Sequence, residues 1–417
     1  MKTTSAILLI LLSLFALTCK RNNPLTPPDT TFALTADDVS CTEVYLGLKL
    51  GSGNTSRSVT LKRDSITLFT KTINATDTVL ADTGLTPNHT FTYVAMLAGE
   101  TQQCRATTMD TTSHNWTWQM FTLGGAASSA LFDVAIINGT LAYAVGQMYL
   151  NDSTGQVDQQ PYNLAIWNGH SWKLQKLFAD GFPPAIKSVF VNNENDVWFD
   201  PWFHWDGQSF QEIPSDSIFF GIGIGKMWGN SNGFYVVGTA GFIAHRNSSG
   251  NWTKIESGTT LDMLDIYGSG SEILAVASDN NPYGEAIISI SGNTATQIFS
   301  FPLGQDELYG VWFVPNRHYY VVGDGIYEKH LLSESTWKNG TLDITQYATT
   351  KVKGNGLNDV MVVGAYGEVL HWNGVSWRSY RDITGLNGSY TSVAVDGNFV
   401  IAVGQNDTQA VVAIGRR

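Results

Sequence analysis

The stretches Trp167-Asn168-Gly169-His170-Ser171-Trp172, Trp205-Asp206-Gly207-Gln208-Ser209-Phe210 and Trp372-Asn373-Gly374-Val375-Ser376-Trp377 are three copies of one element. Each closes a short strand on Trp, turns at Asn-Gly or Asp-Gly, and opens the next strand toward an aromatic residue; glycine permits the tight turn. Weaker copies stand at Ser249-Gly250-Asn251-Trp252, Ser291-Gly292-Asn293 and Ser335-Thr336-Trp337. Outward from each lies an apolar strand ending in Val-Gly or an equivalent: Val145-Gly146, Val197-Trp198, Val237-Gly238, Val276-Ala277, Val322-Gly323, Val363-Gly364 and Val403-Gly404. Gly146 and Gly404 are 258 positions apart, six steps of 43, the length of a four-stranded propeller blade. The last copy supplies three strands before Arg417, and 114–123, with Trp116 and Trp118, reads as the missing outer strand. Such a strand would remove an exposed edge. The expectation is a seven-bladed β-propeller over 114–417, closed by an N-terminal strand. The degenerate fourth copy leaves six or eight blades as alternatives.

Composition agrees with an all-β chain. Of 417 residues only 14% are charged, 12% are aromatic and 41 are glycine, a profile of short strands and tight turns rather than charged helices. The net charge of −12 repels phosphate backbones and argues against a nucleic-acid partner. None of the three cysteines, Cys19, Cys41 and Cys104, lies in a CxxC pair or beside a histidine cluster, so a cysteine-based zinc site is not supported; with no P-loop or EF-hand loop in the sequence either, no metal and no cofactor is expected.

At the N-terminus, Met1-Lys2 precedes a nearly unbroken apolar run from Ala6 to Leu17, too short to span a bilayer comfortably and of signal-peptide length. It ends at Ala16-Leu17-Thr18-Cys19 and resembles a bacterial lipoprotein signal (1–18). That resemblance implies lipidation of Cys19, departing from the family pattern at Ala16 and Thr18. The Pro-rich segment 19–30 reads as an extended tether. Strand signals follow at 44–50, 58–62, 66–71 and 91–97, the spacing of a β-sandwich over 31–110. Leu85-Thr86-Pro87 before Phe91 resembles the fibronectin type III signature, with Phe91 where that family has a corner tyrosine. Export permits a disulfide between Cys41 and Cys104; two free thiols are the alternative.

The glycine and tryptophan repeat elements resemble bacterial propellers related to kelch, Asp-box and galactose-oxidase domains, which implies architecture rather than chemistry. The propeller has few arginines for a sialidase site and no cysteine for copper oxidase chemistry. Asp262, Asp265, Asp306 and Glu307 are carboxylates near blade entrances, but spacing does not pair them as glycoside hydrolysis requires. The catalytic residues are therefore unknown. Candidate ligand-binding residues are aromatic: Trp198, Trp202 and Phe203 around the strand-breaking Pro201, and Trp228 and Trp312 on expected innermost strands. The polar insertion 151–162 is a further recognition candidate. The reading is an exported, lipid-anchored cell-envelope protein, fibronectin type III-like sandwich plus propeller, without enzymatic activity. It would bind a polysaccharide or an envelope or extracellular protein and touch the membrane only through its lipid. The alternatives are a carbohydrate-active, glycoside hydrolase-like enzyme and an envelope-complex scaffold.

Overall fold

The computed structural model describes residues 31–230, 233–280, 283–299, 307–340 and 344–417. The expected signal peptide, Cys19 and the tether lie outside the described residues. The chain divides into two compact units. The first comprises, among described residues, 31–38, 44–82 and 90–106; the second comprises Val39–Glu43, Thr83–His89 and Thr107–Arg417.

The early strands are β1 (Phe32–Val39), β2 (Glu43–Leu50), β3 (Arg57–Arg63), β4 (Ile66–Ile73), β5 (Asp77–Thr83), β6 (Thr90–Leu97) and β7 (Glu100–Thr107). They form two sheets, ordered β1-β2-β5 and β4-β3-β6-β7. Alternation places Phe91, Tyr93, Ala95 and Leu97 of β6 in the interior, the period-two pattern of a half-buried strand. Phe91 lacks a hydroxyl, and a neighbouring tyrosine makes the polar tie instead. Buried Tyr93 donates to Asp82 at 2.7 Å, and Arg63 bridges both Asp82 oxygens at 3.0 and 2.9 Å. The disulfide allowed by the sequence is not formed: Cys41 and Cys104 are free. Cys41 is buried in the turn between β1 and β2, its thiol donating to the Asp110 carbonyl at 3.1 Å. Cys104 lies midway along β7, at the edge of the other sheet. Burial, reinforced by the Asp110 charge, pushes the Cys41 thiol up to about 11.

Among the described residues, the second unit contains seven four-stranded antiparallel sheets, the arrangement of a β-propeller. They span 130–175, 189–212, 224–256, 263–299, 308–339, 349–379 and 389–416. The seventh takes its fourth strand from β8 (Thr117–Leu123), which pairs with Gln409–Arg416 from Leu123↔Ala410 to Thr117↔Arg416. The first strand of each sheet contacts the first strand of the next, and that of the seventh contacts that of the first. The first strands therefore lie innermost, and the apolar cores lie between neighbouring sheets. The fourth copy, weakest in sequence, has among the longest strands, Glu272–Asn280 and Tyr283–Ser291.

The Val-Gly signature has a steric cause. Opposite it, the inner strand carries a β-bulge: the register shifts at Val145/Gly146, Leu308/Gly310, Thr349/Lys351 and Tyr390/Ser392. The bulged backbone crosses so close that a Cβ on Gly146, Gly364 or Gly404 would collide with the carbonyl of Ala130, Ala348 or Ser389. Only glycine fits. The second sheet solves the problem differently. Phe199 stands opposite Val189 as Ala144 stands opposite Val134, so Asp200-Pro201, not Val197-Trp198, occupies the Val-Gly place. A 3-10 turn, Asp200–Trp202, replaces the bulge partner. Asp200 takes a φ of 49° there, and its carboxylate accepts from Ser188 N–H at 2.7 Å and Lys187 N–H at 3.0 Å.

Candidate functional site

The bulges set the chemistry of the propeller axis. The seven inner strands align residue by residue on a buried apolar position: Val134, Val189, Met227, Ile266, Val311, Val352 and Val393. The residue before it is Asp133, Ser188, Lys226, Asp265, Gly310, Lys351 or Ser392. All of the side chains in this set are buried, so charged groups converge where charge is costly unless paired. Asp133 accepts from Val189 N–H at 2.8 Å, from the Ser392 hydroxyl at 2.7 Å and from the Lys226 ammonium. Asp265 accepts from Val311 N–H at 3.0 Å and pairs with Lys351 at 2.8 Å. Each carboxylate thus bonds the inner strand of the next sheet and an ammonium two sheets away.

Burial opposes ionisation of both carboxyls, but the lysines outweigh it. Lys226 and Lys351 hold Asp133, and Lys351 and Lys353 hold Asp265, below the usual carboxylate range. Burial lowers Lys353 to about 8 and raises Asp200 to about 7. Lys187 is also lowered by burial, and its ammonium lies 3.4 Å from the centre of the Phe132 ring. Three ammonium groups, Lys226, Lys351 and Lys353, thus act on two ionised carboxylates, while the charge beside Lys187 is Asp200, in a chain of net charge −12. Above the charged layer opens a cavity of about 310 Å³, walled by Phe132, Lys187, Leu264, Tyr309, Thr350 and Thr391. Except for Lys187, which precedes its strand, these are bulge-site residues of the inner strands.

In an antiparallel meander, the connections between second and third strands, and from each fourth strand to the next sheet, share the end at which inner strands begin. Those connections carry most of the propeller's exposed large apolar side chains: Leu150, Phe178, Phe182, Phe220, Tyr366 and Ile383, with Phe220 93% exposed. The polar insertion after Leu150 lies on this face too. The cationic mouth therefore has an apolar rim.

The aromatic candidates fall elsewhere. Phe203 is buried between the first and second sheets, and Trp312 between the fifth and sixth. Neither can meet a ligand, because both fill space between sheets. Trp228 packs on the core of the third and fourth sheets, with Gly268 against its ring. Pro201 does not eject its neighbours, because the turn it starts continues directly into the next strand; half-buried Trp202 lies edge-on to Phe219, centroids 5.1 Å apart. Trp198 lines a cavity away from the axis. Asp265, weighed as a hydrolytic carboxylate, is occupied by Lys351 and a backbone N–H.

No known protein family and no curated protein matches this chain. Solved structures do. A structure titled YCF48 bound to D1 peptide superposes with a TM-score of 0.56 at 17% identity, covering 74% of this chain and 99% of that one. YCF48 from Cyanidioschyzon merolae gives 0.51 at 13% identity, covering 71% and 98%. The WD40 β-propeller domain of Doa1 gives 0.51 at 13% identity, covering 73% and 98%. At these identities the likeness establishes the propeller fold alone.

Proposed function

We propose that this protein is a non-enzymatic binding module whose propeller receives an acidic, partly apolar peptide segment of a partner protein at the axial mouth. The observation that carries it is the coincidence, on one face, of a lysine-rich cavity with exposed Phe, Tyr, Leu and Ile side chains on the connections of the first to third and of the sixth and seventh sheets. Anionic side chains would enter the cavity and apolar ones would cover the rim, the division of labour common in small-ligand and peptide sites. A propeller neighbour, YCF48, is bound to D1 peptide. We read the seven sheets as a seven-bladed propeller closed by β8. The order β1-β2-β5 beside β4-β3-β6-β7 supports a fibronectin type III-like spacer. Cys19 would carry the lipid that holds both at a cell envelope; metabolic labelling with palmitate should mark the protein, and Cys19→Ser should abolish the label. If the label persists in that variant, the anchor is wrong.

Peptides selected by display against the exported chain should be rich in Asp, Glu and apolar residues. Lys187→Glu should weaken them at least about tenfold, because it reverses one of the three lysines lining the cavity, the other two, Lys226 and Lys351, being paired with Asp133 and Asp265. Selected peptides that bind this variant as tightly as the parent would place the site elsewhere.

A further inference from the structure

At the far end of the strands from the mouth, a cavity of about 370 Å³ opens between the second and third sheets. One wall is Arg246, whose guanidinium lies 4.8 Å from the centre of the Trp198 ring, with Gly250 behind it. Its Nε is buried without a hydrogen-bond partner. Among the described residues, no carboxylate forms an ion pair with it and no acceptor takes its N–H groups. The adjacent carboxylate is already engaged. Asp196 accepts from His204 at 2.7 Å, Asn192 at 2.9 Å and Trp198 at 3.0 Å. Burial lowers the Arg246 pKa, but a guanidinium remains charged at neutral pH. The buried Nε–H of a guanidinium is costly without an acceptor, and a planar anion at its fork supplies one.

The rest of the wall narrows the ligand. Asn192, Asn247, Ser248 and the Asp196–His204 pair offer amide, hydroxyl and carboxylate groups around Phe190 and Phe234. Alternating donors and acceptors beside apolar rings suit a ring with several hydroxyls and one apolar C–H face. From these groups together we infer a second binding site, for a hexuronate residue, with the sugar carboxylate on Arg246 and its hydroxyls on the Asn192–Asp196–Ser248 side. This site stands independently of the axial reading, since it uses none of the mouth residues.

Isothermal titration of the exported chain with D-glucuronate and D-galacturonate, against their methyl esters, tests it. The esters keep the shape and hydroxyls and remove the charge. At least one acid should bind about tenfold or more tightly than its ester, as expected for a bidentate charge-assisted pair. Arg246→Gln should erase that preference, Arg246→Lys should restore part of it, and Lys187→Glu should leave it unchanged. Equal binding of acid and ester, no binding of either, or an N-acetyl-aspartyl amide binding as tightly as the sugar acids would each overturn the assignment. The ester comparison needs no variant, so misfolding of Arg246 substitutions cannot mask the result.

Discussion

Replacing 117–123 with seven glycine and serine residues should abolish soluble monomeric protein. β8 is the fourth strand of the seventh sheet and pairs along the edge of Gln409–Arg416. Leu123 belongs to the core shared by Ala410, Val412 and Ile414; Trp116, just before β8, belongs to the core of Val411 and Ala413. A fully buried large apolar side chain contributes about 1.5–3 kcal/mol, so mispositioning these two removes a large part of a typical stability of roughly 5–15 kcal/mol. The loss also unpairs an apolar edge rich in Val, Ala and Ile, a template for association. Size-exclusion chromatography and chemical denaturation should show aggregate or a non-cooperative transition. Grafting 114–123 after Arg417 should recover a monomer. A replaced chain that stays monomeric and unfolds at the parent midpoint would show that β8 does not hold the propeller.

Asp133→Ala should cost about 3–5 kcal/mol, the penalty for removing one partner of a buried ion pair. The loss exceeds one contact, because Lys226, Val189 N–H and the Ser392 hydroxyl all lose their acceptor in the interior. Asp133→Asn should lie between, since it keeps an acceptor without the charge. The double variant Asp133→Leu with Lys226→Met should recover the part of the loss due to the unpaired ammonium, because it removes both desolvated charges and fills their volume, while Val189 N–H and the Ser392 hydroxyl stay without their acceptor. Urea midpoints of the three variants decide the matter. A single variant within 1 kcal/mol of the parent, or a double variant no better than the single, would mean that the pair does not bind the sheets together.

The repeating scaffold was readable in sequence because its causes are local. Each Asn-Gly or Asp-Gly turn marks a hairpin, and each Val-Gly marks a carbonyl crossing that excludes a side chain. The orphan segment before residue 124 was readable because the last repeat is one strand short. The axial site was not legible. Asp133, Lys226, Asp265 and Lys351 occupy one repeat position, but they lie far apart along the chain and alternate with Ser and Gly. The available signal was a charged residue directly before the buried aliphatic position of an otherwise apolar inner strand, visible only once the repeats are aligned residue by residue. Two of the aromatic candidates are buried for a physical reason: in wedge-like gaps between twisted sheets, large rings are the cheapest filler. Trp312 and Phe203 are spent there. Arg246 gave no hint, since an unmatched guanidinium is recognised only by what fails to surround it.

The bulges separate two kinds of change during evolution. A residue displaced from the ladder gives up its pairing partner, so Phe132, Leu264 and Tyr309 can be exchanged with little consequence for the sheets behind them, whereas Thr350 and Thr391 donate to the Tyr390 and Leu131 carbonyls of the next inner strand. The next residue along each strand is locked into the interior. A lineage could therefore rewrite the wall of the mouth one position at a time, acquiring new partners while the underlying frame, and the glycines that permit it, stay as they are.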